Sequence, residues 1–156
     1  MPIYFYTAAG EYGCLSNFSR HGFELGGCYW PTAEHYFQAQ KFAGTDYEMH
    51  VARASTAKEA LTRGRVRTVP LRADWEAVKD VVMRAAVGRK FETHADIRAV
   101  LLGTGDEALV ENAPGYYWGC GADGTGLNRL GQILMDVRAR LRRQEAEPSD
   151  APDGDE

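Results

Sequence analysis

Only three of the 156 residues are cysteines, and Cys14, Cys28 and Cys120 are odd in number and far apart. That spacing supplies neither a disulfide framework nor a paired-thiol metal site, so the thiols read as reduced. No apolar stretch approaches the roughly 20 residues of a membrane helix. The start, Met1-Pro2-Ile3-Tyr4-Phe5-Tyr6, lacks the basic region and long apolar run of a secretion signal. Together these absences predict a cytoplasmic protein with no membrane partner. No internal repeat is visible, and residues 145–156 contain neither Lys nor Arg.

The missing cations near the end change the meaning of the net charge of -4. Glu145, Glu147, Asp150, Asp153, Asp155 and Glu156 are six of the 22 acids, and setting them aside leaves 16 acids against 18 basic residues. The body of the chain is therefore formally +2 and compatible with anionic partners. From Gln144 onward the composition turns to Pro, Ser, Asp and Glu without a large apolar residue, which predicts an acidic, disordered tail over 144–156. Residues 1–143 remain as one domain, a length that supports a single core. At 44% hydrophobic and 26% charged, the chain has the balance of an ordinary globular protein.

The first thirty residues read as short strands and turns. Ile3 to Thr7 is aromatic and β-branched, and Phe23-Glu24-Leu25 and Cys28-Tyr29-Trp30 flank Gly26-Gly27 as a hairpin does. Pro31 and Thr32 then open a helix predicted from Ala33 to Ala43, stopped by Gly44. Three more helix starts carry Thr with an acid three residues on: Thr45 with Glu48, Thr56 with Glu59, and, as a looser variant, Thr93 with Asp96. A long helix is predicted over Asp74–Phe91 and a last one over Asn128–Arg143, with the short apolar run Ala108-Leu109-Val110 and a Gly-rich loop between them. The pattern predicts an α+β fold, a mainly helical single domain with a small β component.

Chemistry concentrates in Trp30-Pro31-Thr32-Ala33-Glu34-His35-Tyr36-Phe37-Gln38-Ala39-Gln40-Lys41-Phe42. At 100° per residue Glu34, Phe37, Gln38 and Lys41 share one stripe, so a carboxylate lies one turn from an amide and two from a lysine, beside aromatic surface. That face suits a polar ring compound, and equally it is a solvated face whose Glu is favoured by the helix dipole. His35 follows Glu34 in the wrong order for a zinc helix, and His21, His50 and His94 add no ligand spacing, which predicts no metal.

The loop Gly119-Cys120-Gly121-Ala122-Asp123-Gly124 matches the dinucleotide fingerprint in form only, since no βαβ unit surrounds it. Gly124, Thr125, Gly126 and Asn128 still lead into a helix whose first amides could hold a phosphate, or they simply make a tight turn. Arg53, Lys58, Arg63, Arg65, Arg67 and Arg72 stand against the single acid Glu59 in their stretch, and Arg65 and Arg67 precede Pro70 in a predicted loop, where they suit phosphate. Trp75 and Trp118 are each either core or a stacking platform.

Taken together, Tyr12-Gly13, Ser16-Asn17-Phe18 and the segment Trp30 to Phe42 resemble the YbiA-like family of the NADAR superfamily. Gly64-Arg65, Pro70-Leu71-Arg72, Asp74-Trp75-Glu76, Val82-Met83, Lys90-Phe91, Tyr117-Trp118-Gly119 and Asn128-Arg129-Leu130-Gly131 follow in that family's order. The resemblance implies an N-glycosidase that splits a base from ribose in phosphorylated riboflavin-pathway intermediates. Other branches imply removal of ADP-ribose from guanine in nucleic acid, and a third reading is a non-catalytic ADP-ribose or nucleotide-binding module.

The resemblance puts the catalytic glutamate on Glu34 and a stacking or positioning tryptophan on Trp75. It implies further substrate contacts from Asn17, Phe18, Trp30, Gln38, Lys41, Arg65, Trp118, Gly119, Asn128 and Arg129. The hydrolysis it implies requires no redox or metal cofactor. Relatives often carry Asp after the Trp-Gly pair, where this chain has Cys120, leaving Asp74 and Asp123 as candidates for any second carboxylate.

Overall fold

Residues 1–147 are described by the structure, a computed structural model. Two small sheets flank the helices. Strand β1 (Ile3–Phe5) runs parallel to β4 (Leu109–Glu111), with Phe5 opposite Glu111, and β2 (Phe23–Leu25) pairs antiparallel with β3 (Cys28–Trp30). The hairpin forms as predicted because Gly26 and Gly27 take φ of 63° and 82°, the left-handed values a tight two-residue turn demands at both central positions.

Helix α1 (Ala33–Gln40) begins where Thr32 accepts the His35 amide at 3.1 Å. It ends earlier than predicted, because Phe42 and Ala43 bond back to Ala39 and Gln40 in a tighter turn that carries the chain to Gly44. Helices α2 (Asp46–Ala52) and α3 (Ala57–Gly64) follow Thr45 and Thr56. At Thr56 the cap is built: its hydroxyl accepts the Glu59 amide at 3.1 Å, and Glu59 reaches back to the Ser55 amide at 2.9 Å. At Thr45 the hydroxyl turns instead to the Phe42 carbonyl, and Glu48 takes the Gly44 amide.

Helices α4 (Trp75–Thr93) and α5 (Ala95–Gly103) meet at His94, which caps both. Thr93 therefore caps nothing, contrary to the sequence expectation. It lies inside α4 and donates to the Arg89 carbonyl at 2.7 Å. Helix α6 runs Arg129–Ala146, three residues past the predicted Arg143, since Gln144, Glu145 and Ala146 are good helix formers on a solvated end. The rest of the predicted tail, from residue 148, lies outside the described residues.

Two apolar clusters hold this α+β domain together. One joins α4, α5 and α6 to the β1/β4 pair through Phe5, Met83, Phe91, Leu101, Leu109, Ile133 and Leu134, and the other gathers α1, α2, α3 and the hairpin around Phe23, Trp30, Phe42 and Val51. Each such side chain contributes about 1.5–3 kcal/mol on burial, so the clusters, not the three-residue strands, stabilise the fold. Helix α1 packs on α2, α3 and α4, which leaves one stripe of it free to line a cavity. No helix among the described residues is long and apolar enough to cross a membrane.

Candidate active site

A cavity of about 970 Å³ opens between α1, the loops following β1 and β4, and the start of α3. Its lining includes Glu34, Phe37, Gln38 and Lys41, so the predicted stripe of α1 faces one space. The helix is fixed there from behind. His35, 1% exposed, holds Thr32 Oγ1 at 2.7 Å and donates from Nε2 to the Ala54 carbonyl at 2.9 Å, and burial keeps its imidazole below its ordinary pKa. A neutral ring pins α1 to the α2–α3 connection.

Glu34 is 7% exposed, and its Oε1 accepts a 2.7 Å hydrogen bond from Gln38 Nε2, one turn along. Burial pushes its carboxyl above the ordinary value, opposed by the Gln38 bond and by the charges of Lys41 and Arg65. Lys41 is pushed down to about 8, first by burial and then by Arg67, with Glu34 acting the other way. The Gln38 amide fits because residue 64 is glycine: a Cβ there would stand 2.0 Å from Gln38 Oε1. A side chain at 64 would force Gln38 off Glu34.

Asn17, Phe18, Arg65 and Trp118 complete the predicted residues that line the cavity. The Asn17 carbonyl accepts the Glu34 amide at 3.2 Å, so the loop Gly13–Phe18 sits on the first turn of α1 and satisfies one of its unbonded donors. Buried Lys90, reaching from α4, donates to the carbonyls of Cys14 and Ser16 at 2.6 and 2.9 Å and holds the same loop. Trp118 stands edge-on to Phe37 with ring centroids 5.2 Å apart. Around the mouth Arg20, Lys58, Arg65 and Arg67 are exposed cations, and Tyr6, Phe18 and Tyr29 are exposed aromatics.

Five residues expected to touch substrate lie elsewhere. Trp30 is a clip of the hairpin: it is 3% exposed, donates to the Leu25 carbonyl at 2.9 Å and packs on Tyr36. Trp75 is core, 6% exposed and 5.1 Å from Phe37 between ring centroids, so it supports the aromatic floor from behind. Gly119 gives its carbonyl to the Asn128 amide at 2.9 Å. Asn128 adopts a left-handed φ of 52°, and its side chain bonds the Glu111 amide and the Leu109 carbonyl, each at 2.9 Å. Arg129 pairs with Asp80 at 3.0 Å, which also accepts the Tyr117 hydroxyl.

At the start of α6 the leading amides are already engaged rather than open to a phosphate. The N–H groups of Asn128, Arg129 and Leu130 donate to the carbonyls of Gly119, Tyr117 and Trp118, so the Gly-rich loop is a backbone cap for the helix. The second carboxylate of the cavity is Glu111, which the sequence reading missed. Asp74 is tied to Arg72 at 2.6 Å and Asp123 to Thr125, both exposed and outside the cavity, and Cys120 is also absent from the lining. Glu111 was legible only as an acid ending a short apolar run, a weak signal before the β1/β4 pairing is known. Among the described residues no three His, Cys, Asp or Glu side chains gather as a metal site.

Fold and site together define a small α+β protein with a cavity of about 970 Å³ lined by a buried carboxylate and by exposed cations. The NADAR domain model matches residues 4–142, and the chain belongs to that family. It is 53% identical over 146 residues to an N-glycosidase of Nostoc punctiforme, covering 91% of this chain and 94% of that one. It is 47% identical over 140 residues to the N-glycosidase YbiA of Escherichia coli, covering 89% and 88%. A riboflavin biosynthesis protein of Vibrio vulnificus is 40% identical over 142 residues, which make up 90% of this chain and 39% of that protein. The NMR structure of the E. coli protein YbiA superposes with a TM-score of 0.87 at 44% identity, covering 96% of this chain and 90% of that one.

Proposed function

We propose that this protein is an N-glycosidase, a hydrolase that splits the bond between ribose and a nitrogen base in a phosphorylated small molecule, with Glu34 as its catalytic carboxylate. The observation that carries this reading is Glu34 itself, buried yet supplied with an amide donor and two nearby cations that favour its charged form. Breaking a ribosyl C–N bond builds positive charge on the anomeric carbon and ring oxygen. A carboxylate fixed in a site of low dielectric stabilises that charge and accepts a proton from the attacking water. Gln38 holds the carboxylate oriented, and the Phe37 and Trp118 rings offer apolar surface to a flat base.

Lys41 and Arg65 line the same cavity and suit a phosphate on the sugar. A cavity of this volume holds a ribosylated pyrimidine phosphate with room for water. The naming of relatives as N-glycosidases and as riboflavin biosynthesis proteins supports early riboflavin-pathway intermediates as the substrate class. A second reading, removal of ADP-ribose from guanine in nucleic acid, is favoured by the exposed cations Arg20, Lys58, Arg65 and Arg67 at the mouth, which suit a longer polyanion.

One assay separates them. Ribosylaminopyrimidine phosphate and an ADP-ribosylated guanosine oligonucleotide are offered in parallel, and free base and free ADP-ribose are read by mass. The lead reading expects turnover of the first at least tenfold above the second. The reverse order transfers the function to nucleic acid, and turnover of neither removes the enzymatic reading.

A further inference from the structure

The acid that this hydrolysis leaves without a task is the half-buried Glu111. It ends β4, at the same end of the sheet as Tyr6, Thr7 and Ala8 after β1, and it lines the cavity with Glu34. Its backbone is held on both sides: the amide donates to Asn128 Oδ1 at 2.9 Å and the carbonyl accepts the Cys120 amide at 2.9 Å. Its Oε2 is shut off from solvent and has no hydrogen-bond partner among the described residues. With no partner for Oε2, burial favours the protonated form of this acid.

We propose that Glu111 is a second catalytic carboxyl of this site, held in its protonated form and donating that proton to the departing nitrogen while Glu34 remains a carboxylate. The inference rests on the N-glycosidase reading and assigns the half of the reaction that Glu34 cannot perform. The two acids differ in their surroundings: Gln38, Lys41 and Arg65 favour charge on Glu34, whereas the charged group that acts on Glu111 is Glu34, a like charge. Tyr6, Arg20, Tyr29, His35, Lys41, Lys58, Arg65 and Arg67 are the other titratable or charged groups that line the cavity. Burial first, and Glu34 second, push Glu111 up to about 7. Two carboxyls in such unlike surroundings can divide the acid and base roles of a hydrolysis.

The step balances. A water oxygen bonds to the anomeric carbon as the C–N bond breaks, and the electron pair of that bond goes to nitrogen, which takes the Glu111 proton. The water proton goes to Glu34. Sugar leaves with a hydroxyl on its anomeric carbon, the base leaves with an N–H, and Glu34 returns its proton through water to Glu111.

The test uses two ribosides, ribosylaminopyrimidine phosphate and a ribosyl pyridinium, whose ring departs as a neutral base and needs no proton. Glu111→Gln is expected to lose about 100-fold or more in kcat on the first, the usual scale of acid catalysis, and to change little on the second. In the unmodified protein kcat on the first falls as pH rises through about 7, where Glu111 loses its proton, and on the second it stays level. Equal losses on both ribosides, or none on the first, overturn the proposal. Should Glu111→Gln not fold by circular dichroism, or the pyridinium not be turned over, the profile of the unmodified protein on the first riboside decides, and no decline near pH 7 overturns it. A decline that Lys41→Met abolishes while Glu111→Gln keeps it also overturns it, giving the proton to Lys41. An unmodified protein inactive on both ribosides sinks the N-glycosidase reading along with the proposal.

Discussion

Glu34 and Glu111 line one cavity, yet the first is met by an amide and two cations and the second by neither. The difference follows from the elements that carry them. A helix repeats its face every third or fourth residue, so Glu34 brings Gln38 and Lys41 with it on one stripe. A strand end offers no such repeat. The partners of Glu111, Cys120 and Asn128, come from the loop that follows β4 and reach its backbone, leaving the carboxyl alone. One pocket thus holds two acids that burial pushes upward alike, with groups that oppose the shift beside Glu34 and a like charge that adds to it at Glu111.

Removing Glu34 breaks the comparison most severely. Glu34→Gln keeps size and the chance of a bond to Gln38 but loses charge and basicity, and kcat is expected to fall about 1,000-fold or more, as the loss of a base and of transition-state charge stabilisation together would give. The same change removes the like charge beside Glu111, so its carboxyl ionises more readily and titrates below about 7. Base release by mass and carboxyl-carbon NMR of labelled glutamate read the two effects. Near-normal turnover would sink the role given to Glu34.

The aromatic floor offers a smaller contrast. Trp75→Ala deletes core and is expected to cost about 3–5 kcal/mol of stability. Trp118→Ala, at the cavity, is expected to raise KM by about 5- to 150-fold with a modest loss of stability, the scale of one stacked base. Thermal melts beside Michaelis curves separate them, and a Trp75→Ala protein that melts normally but fails to bind substrate reverses the assignment. The least effect is expected at the acids outside the pocket. Asp74→Asn and Asp123→Asn should each leave kcat/KM within about twofold, since surface changes away from special features are usually small. A loss of more than tenfold at either would move the second carboxylate away from Glu111.

Sequence reading reached Glu34, Gln38 and Lys41 because helical periodicity converts spacing directly into a shared face. It could not sort Trp30 and Trp75 from Trp118, since an aromatic ring serves equally as core or platform until its neighbours are known. The start of α6 misled for a related reason: a Gly-rich loop before a helix leaves amides free only if the loop does not turn back on them, and this one does. The thirteen-residue motif from Trp30 to Phe42 is thus split between two tasks, its Trp clipping the hairpin and its Glu facing the pocket. Glu111 remained hidden because a three-residue strand carries almost no periodic signal and its partner β1 lies at the opposite end of the chain.

The side chain of Asn128 has a consequence beyond the pocket. By accepting from the Glu111 amide and donating to the Leu109 carbonyl, it reproduces the two bonds that a neighbouring strand would make on the outer margin of β4. A two-stranded parallel sheet otherwise presents such a margin as a template for any passing extended chain. One asparagine in a left-handed turn closes it, so Asn128→Ala exposes a sticky edge, and growth of light scattering at high protein concentration would register it before any loss of fold.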